Sequence, residues 1–135
     1  MKILGKKEFL DGGSLPKEFV PTPEIEPDSG VYVRGMDGTS RDKFEASIVQ
    51  MKDQKTNFNM INIRAKLASM TICDEGGNLL FTEADMQALG KKSAIVLQRI
   101  FVVGQRLSGI GERDVEELTT GLQENPFDGS ASVLP

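Results

Sequence analysis

Residues 93–109 read SAIVLQRIFVVGQRLSG, and this stretch decides the fold. At about 100° per residue, Val96, Leu97, Ile100, Phe101, Val103, Gly104 and Leu107 share one wide face. Ser93 stands where an N-cap belongs, and Gly109 supplies a C-terminal stop. The pattern predicts a helix over Ala94–Leu107 whose apolar arc is broad enough to organise a core. Ile95 and Val102 fall off that arc. They are seven apart, hence nearly eclipsed, and Gln98, Arg99, Gln105 and Arg106 surround them. An apolar stripe edged by Gln and Arg suits a helix that meets a second chain. The plainer reading is a central helix touched on both sides. Ile95, Gln98, Arg99, Val102 and Arg106 are the candidate partner-binding residues.

Working back from this helix, residues 71–81 read TICDEGGNLLF. Two short apolar runs around Gly76-Gly77 predict a β-hairpin. Thr82 and Asp85 are spaced as a capping box for a short helix that Gly90 ends. Over residues 59–70, Ile61, Ala65 and Ala68 group together, with Met60, Ile63, Leu67 and Met70 alongside. That predicts a largely buried helix. Arg64 projects from the middle of its apolar arc, so it must find carboxylates or reach water. Asp85, Glu116 and Glu117 are the candidate partners, and Arg64 is the candidate for a structural ion pair.

Further back, Phe44, Ile48 and Met51 form a helical stripe that begins after the turn at Asp37-Gly38, with Thr39 or Ser40 as the cap. Residues 53–58 are a polar break. Val31-Tyr32-Val33, between Gly30 and Gly35, reads as a strand that can pair with an extended piece near Glu18–Val20. Pro16, Pro21, Pro23 and Pro27 with Gly12-Gly13 make residues 1–30 an extended arm. Downstream, Val115 and Leu118 suggest a last short helix from Glu112. Residues 120–135 carry turn formers and no periodicity, which reads as a disordered tail. The expected fold class is α+β, mainly α. Residues 31–119 form one domain of four to five helices with a minor β-hairpin and short strands, between flexible termini.

Composition narrows the function. The chain has 135 residues, 16 Lys and Arg, 20 Asp and Glu, and no His, for a net charge of −4. Without histidine there is no Ser-His-Asp triad, Cys-His pair or His-ligated metal. Cys73 alone cannot form an internal disulfide framework. Residues 1–10, MKILGKKEFL, lack a cleavage site of small residues and read as mature protein. No apolar run reaches bilayer length. The acidic balance disfavours nucleic acid as a partner. Gly104 to Gly109 has phosphate-loop spacing but no Lys-Ser/Thr after it. Residues 74–78, DEGGN, lack the ligand pattern of a calcium loop. The acidic cluster Glu112, Asp114, Glu116 and Glu117 reads as a solvated face. No catalytic, metal or cofactor residue is expected, and composition points to an intracellular binding protein rather than an enzyme.

One resemblance spans residues 31–119. Val31–Gly35 followed by the helix start at Arg41–Phe44 carries it, with Arg64-Ala65-Lys66-Leu67 and the turn before Leu80-Phe81-Thr82. Ala88-Leu89-Gly90, Lys92-Ser93-Ala94 and Gln105-Arg106-Leu107 complete it. In this order and spacing the chain resembles the tail assembly chaperones of long-tailed bacteriophages and prophages. The resemblance implies a non-catalytic protein of the host bacterial cytoplasm, absent from the mature virion. It would bind the tape measure protein and help tail-tube protein add around it. It also implies a longer product made by ribosomal frameshifting near the end of the reading frame. The alternatives are a structural head–tail joining or tail component of the virion, and a small DNA-binding regulatory adaptor using Lys91, Lys92, Arg99 and Arg106. The sequence leaves the oligomeric state open; a homo-oligomer would use Ile95 and Val102. No membrane partner is expected.

Overall fold

In the computed structural model, residues 1–52, 55–58 and 60–110 are described. The expected final helix from Glu112, the acidic cluster and the tail over 120–135 lie outside them. The order of elements is α1 (Lys6–Asp11), β1 (Lys17–Pro21), β2 (Gly30–Arg34), α2 (Gly38–Ile48), β3 (Val49–Lys52), β4 (Lys55–Phe58), α3 (Ile63–Thr71), β5 (Ile72–Cys73), a 3-10 turn (Glu83–Asp85), α4 (Met86–Leu89) and α5 (Ala94–Leu107). The class is α+β, mainly α, as the periodicity indicated.

An antiparallel sheet in the order β1-β2-β5 forms one layer. Its register pairs Glu18 with Val33 and Val20 with Val31, and then Val33 with Ile72. Side chains on neighbouring positions of a strand point to opposite faces. Val20, Val31, Val33 and Ile72 therefore share the face that meets Val96, Leu97 and Ile100 of α5, Ala65 and Ala68 of α3, and Leu89 of α4. A second cluster continues the core beyond α3, where Leu67 and Phe101 join Phe44 and Ile48 of α2 with Met36 and Ile110. No aromatic larger than Phe lies in either cluster, as expected of a chain without Trp.

Two glycines fix how α5 sits. A Cβ on Gly104 would lie 2.5 Å from Leu67 Cδ2 and 3.4 Å from Thr71, so α3 and α5 cross closely only because that side chain is missing. Gly109, at φ +76, takes the left-handed turn that ends the helix. There Ile110 N–H donates to Gln105 O at 2.8 Å and Ser108 Oγ accepts from Met36 N–H at 2.9 Å. The first bond closes the helix end on itself, and the second ties it to the segment after β2.

Several expectations change. The extended arm over 1–30 contains α1, and β1 is a full member of the sheet, with Val20 in the core. The α2 cap is Asp37, whose Oδ1 accepts from Ser40 N–H at 2.7 Å, in place of Thr39 or Ser40. α2 stops at Ile48, so Met51 is not in its stripe. The supposed polar break contains β4, which pairs with β3 through Val49↔Phe58 and Met51↔Thr56. Apolar or β-branched residues there recur at period two, a strand spacing that outweighs the helical match of a single Met.

α3 begins at Ile63, not at Asn59, because Asn62 adopts φ 63 in the left-handed region, which a helix does not continue through. Ile61 is 80% exposed and so stands apart from Ala65 and Ala68. The hairpin around Gly76-Gly77 shrinks to one bridge, Cys73↔Leu79, with Leu80 N–H donating to Ile72 O at 3.1 Å. The Thr82–Asp85 capping box forms as expected, with Thr82 N–H donating to Asp85 Oδ2 at 2.8 Å. α5 has the expected limits. Ser93 occupies its N-cap position but makes no side-chain capping bond.

Candidate partner-binding surface

α5 is buried along its inner face through Val96, Leu97, Ile100, Phe101 and Gly104. Its outer face carries Ile95, 64% exposed, and Val102, 50% exposed. Two apolar side chains are thus held in water on a helix that the core keeps rigid. The five residues singled out in the sequence do lie on this outer side, in three different settings.

Arg99 is turned toward the N-terminal part of the chain. Its Nη1 donates to Glu24 Oε1 at 2.9 Å and to Pro21 O at 2.9 Å, and its Nη2 donates to Glu24 Oε2 at 2.7 Å. The guanidinium beside it, followed by the Glu24 backbone N–H, holds the Glu24 carboxyl down at about 2, against an ordinary 4.5. Arg106 repeats the arrangement seven residues later, with Nη2 at 2.8 and 3.0 Å from the two Glu18 carboxylate oxygens. Both arginines therefore anchor β1 and the loop after it, and they flank the stripe as fixed ion pairs.

Gln98 closes the opposite flank, where its Oε1 accepts from Arg64 Nε. The Arg64 guanidinium also lies 5.5 Å from the centre of the Phe101 ring. Among the described residues Arg64 has no carboxylate partner. Asp85 is occupied by its capping box, Glu116 and Glu117 lie outside the described residues, and Arg64 reaches the surface over an aromatic ring to a neutral amide. Gln105, expected beside the stripe, is buried.

Elsewhere, an open cleft of about 470 Å³ lies between residues 14–17, Arg34 and Gly76-Gly77. Lys17 Nζ donates to Glu75 O and Arg34 Nη1 donates to Gly77 O at 2.9 Å. These two cations staple the turn to the sheet. Cys73 is buried on β5, and burial pushes its thiol above the ordinary 9.0, although Arg34 and Lys17 pull the other way. It is a packed thiol rather than an activated nucleophile. Among the described residues no group of His, Cys, Asp and Glu could hold a metal ion, and no helix is long and apolar enough to cross a membrane.

Sequence reasoning did not find Glu18 and Glu24 as partners of α5. Nor did it single out Phe19, 53% exposed, or the apolar residues of α1, where Phe9 is 72% and Leu10 70% exposed. The alternation of Phe19 with buried Val20 was the available signal. Comparison of the chain with protein-family models, with curated proteins and with solved structures finds no match.

Proposed function

We propose that this protein is a tail assembly chaperone of a long-tailed bacteriophage or prophage. It acts in the bacterial cytoplasm without catalysis, binds the tape measure protein, helps tail-tube protein assemble around it, and stays out of the finished virion. The resemblance over residues 31–119 motivates the reading. The observation that supports it is the outer stripe of α5. Ile95 and Val102 stand exposed on a helix whose other side is locked into the core, which is the geometry of a helix offered to another helix. The flanking Arg99 and Arg106 are paired with carboxylates, which removes two of the four basic residues that a DNA-binding adaptor would need.

The test is co-expression with the tape measure protein encoded by the same phage or prophage. The full chain should keep that protein in solution and co-purify with it. Ile95→Asp and Val102→Asp should each weaken the complex by about tenfold or more while leaving the circular dichroism unchanged. Mass spectrometry of purified virions should find no copy of the chain. Its presence there at stoichiometric level would move the reading to a structural tail component.

A further inference from the structure

β1 is an edge strand. β2 covers one side, and among the described residues no strand covers the other. The ends of the ladder set its parity, because Gly35 N–H donates to Pro16 O at 2.9 Å and Thr22 N–H donates to Ser29 O at 2.8 Å. In an antiparallel ladder hydrogen-bonded pairs alternate with unbonded ones. Glu18↔Val33 and Val20↔Val31 are therefore the bonded pairs, and the backbone groups of Lys17, Phe19 and Pro21 point outward. Pro21 has no N–H, and its carbonyl accepts from Arg99. Among the described residues the N–H and C=O of Lys17 and Phe19 have no partner.

A proline blunts an edge against indiscriminate pairing. This edge is nevertheless complementary to itself. With the strand laid antiparallel on its own copy and Phe19 opposite Phe19, Lys17 falls opposite Pro21. The two Phe19 residues exchange a pair of hydrogen bonds. Each Lys17 N–H donates to the second lone pair of the other copy's Pro21 carbonyl. The adjacent register would bring Glu18 opposite Glu18, and like charges directly across a ladder repel. In the Phe19-centred register Glu18 instead faces Val20. Phe19 already stands edge-on to Tyr32, with ring centres 5.6 Å apart, so joining the edges extends an aromatic row across both sheets.

Charge supports the same occupant. Residues 1–17 carry Lys2, Lys6, Lys7 and Lys17 against Glu8 and Asp11, a side-chain net charge of +2 in which Lys2 pairs with Glu8 and Lys7 with Asp11. The loop leaving β1 carries Glu26 and Asp28 beyond Glu24, which Arg99 holds. Antiparallel pairing sets each basic entry against the other copy's acidic exit. Residues 12–16 span up to roughly 17 Å when extended, enough for α1 to reach that loop. α1 buries none of its residues on its own chain, and on the loop Ile25 is 54% exposed. A helix of this length has little stability in water unless something packs against it.

We propose that two copies of this chain join through their β1 edges about a two-fold axis at Phe19, each α1 lying over the other copy's Thr22–Ser29 loop. The proposal is independent of any tape measure partner. Its test is Phe19→Cys in the full chain under mild oxidation. Directly opposed, hydrogen-bonded residues have Cα atoms about 5.5 Å apart, within the span of a disulfide. The expected product is a covalent dimer of the 14.8 kDa chain. Leu80→Cys, at a position 52% exposed and away from β1, should not cross-link at that rate. Sedimentation should show the unmodified chain as a dimer. Phe19→Lys, and removal of residues 1–11, should each raise its dissociation constant by about tenfold or more with unchanged circular dichroism. A monomeric unmodified chain overturns the proposal. So does equal cross-linking of the two cysteine variants, or a Phe19→Lys variant that dimerises like the unmodified chain.

Discussion

Arg99 grips Glu24 with both terminal nitrogens, at 2.9 and 2.7 Å, across 75 residues of chain. With its third bond to Pro21 O, this one side chain fastens the loop after β1 to the middle of α5. The N-terminal part of the chain is thereby coupled to the helix proposed to meet a partner.

That grip predicts a pH dependence. The Glu24 carboxyl titrates at about 2 in the folded protein, below its ordinary 4.5. Below 4.5 the unfolded chain takes up this proton before the folded one does, so stability falls with falling pH from about 4.5 towards 2, and the contribution is absent at lower pH. Glu24→Gln should remove this part of the pH dependence. It should also speed amide exchange over Thr22–Ser29 at neutral pH while the amides of α5 stay protected. Hydrogen exchange followed by mass spectrometry resolves both effects. Equal exchange in the variant and the unmodified chain would show that the loop is held by something else.

The contrast between α5 and its partners shows which features can be read from sequence. The limits of α5 were legible because period, N-terminal punctuation and Gly109 coincide within one stretch. The Thr82–Asp85 box was legible for the same local reason. Glu24 and Glu18 were not, because they lie 75 and 88 residues from Arg99 and Arg106, and only the folded sheet brings them there. α1 left no periodic signal, since none of its residues is buried on its own chain. On the candidate surface, Ile95 and Val102 were found from their departure from the apolar arc. Their arginine neighbours were named as part of the same surface, but the ties of Arg99 and Arg106 to β1 and its loop could not be seen.

Arg64 gives a second prediction. Its partners are the neutral Gln98 amide and the Phe101 ring, so replacing it strands no buried carboxylate among the described residues. Arg64→Met keeps the long stem over Phe101, and its cost in urea denaturation should stay within about 1 kcal/mol. Breaking a buried ion pair would instead cost about 3–5 kcal/mol. A loss of that size would identify a carboxylate partner beyond residue 110.

Cys73 should behave as a burial sensor. It is 2% exposed, and its thiol is harder to ionise than usual because it is desolvated. A thiol reagent at neutral pH should therefore modify the folded chain far more slowly than the chain in denaturant. Because the folded thiol titrates above 9.0, the unfolded chain loses this proton first as pH rises. Stability should fall once pH passes about 9, and Cys73→Ser should lack that component. Reaction of Cys73 at equal rates in buffer and in denaturant would show that β5 opens freely.

The crossing of α3 and α5 supports the last prediction. Gly104→Ala would ordinarily raise helix propensity by about 1 kcal/mol. Here the new methyl meets Leu67 Cδ2 at 2.5 Å, and Leu67 is fully buried, so the side chain or one of the two helices must shift. The variant should therefore be destabilised, by about 1–3 kcal/mol. Leu67→Ala alone opens a cavity and should cost about 2–5 kcal/mol. In the double variant the Gly104 methyl enters the space that Leu67 has left. Its loss should be smaller than the sum of the two single losses by about 0.5 kcal/mol or more, a coupling that a double-mutant cycle in urea reads directly. Strict additivity would mean that the two helices do not touch at this point.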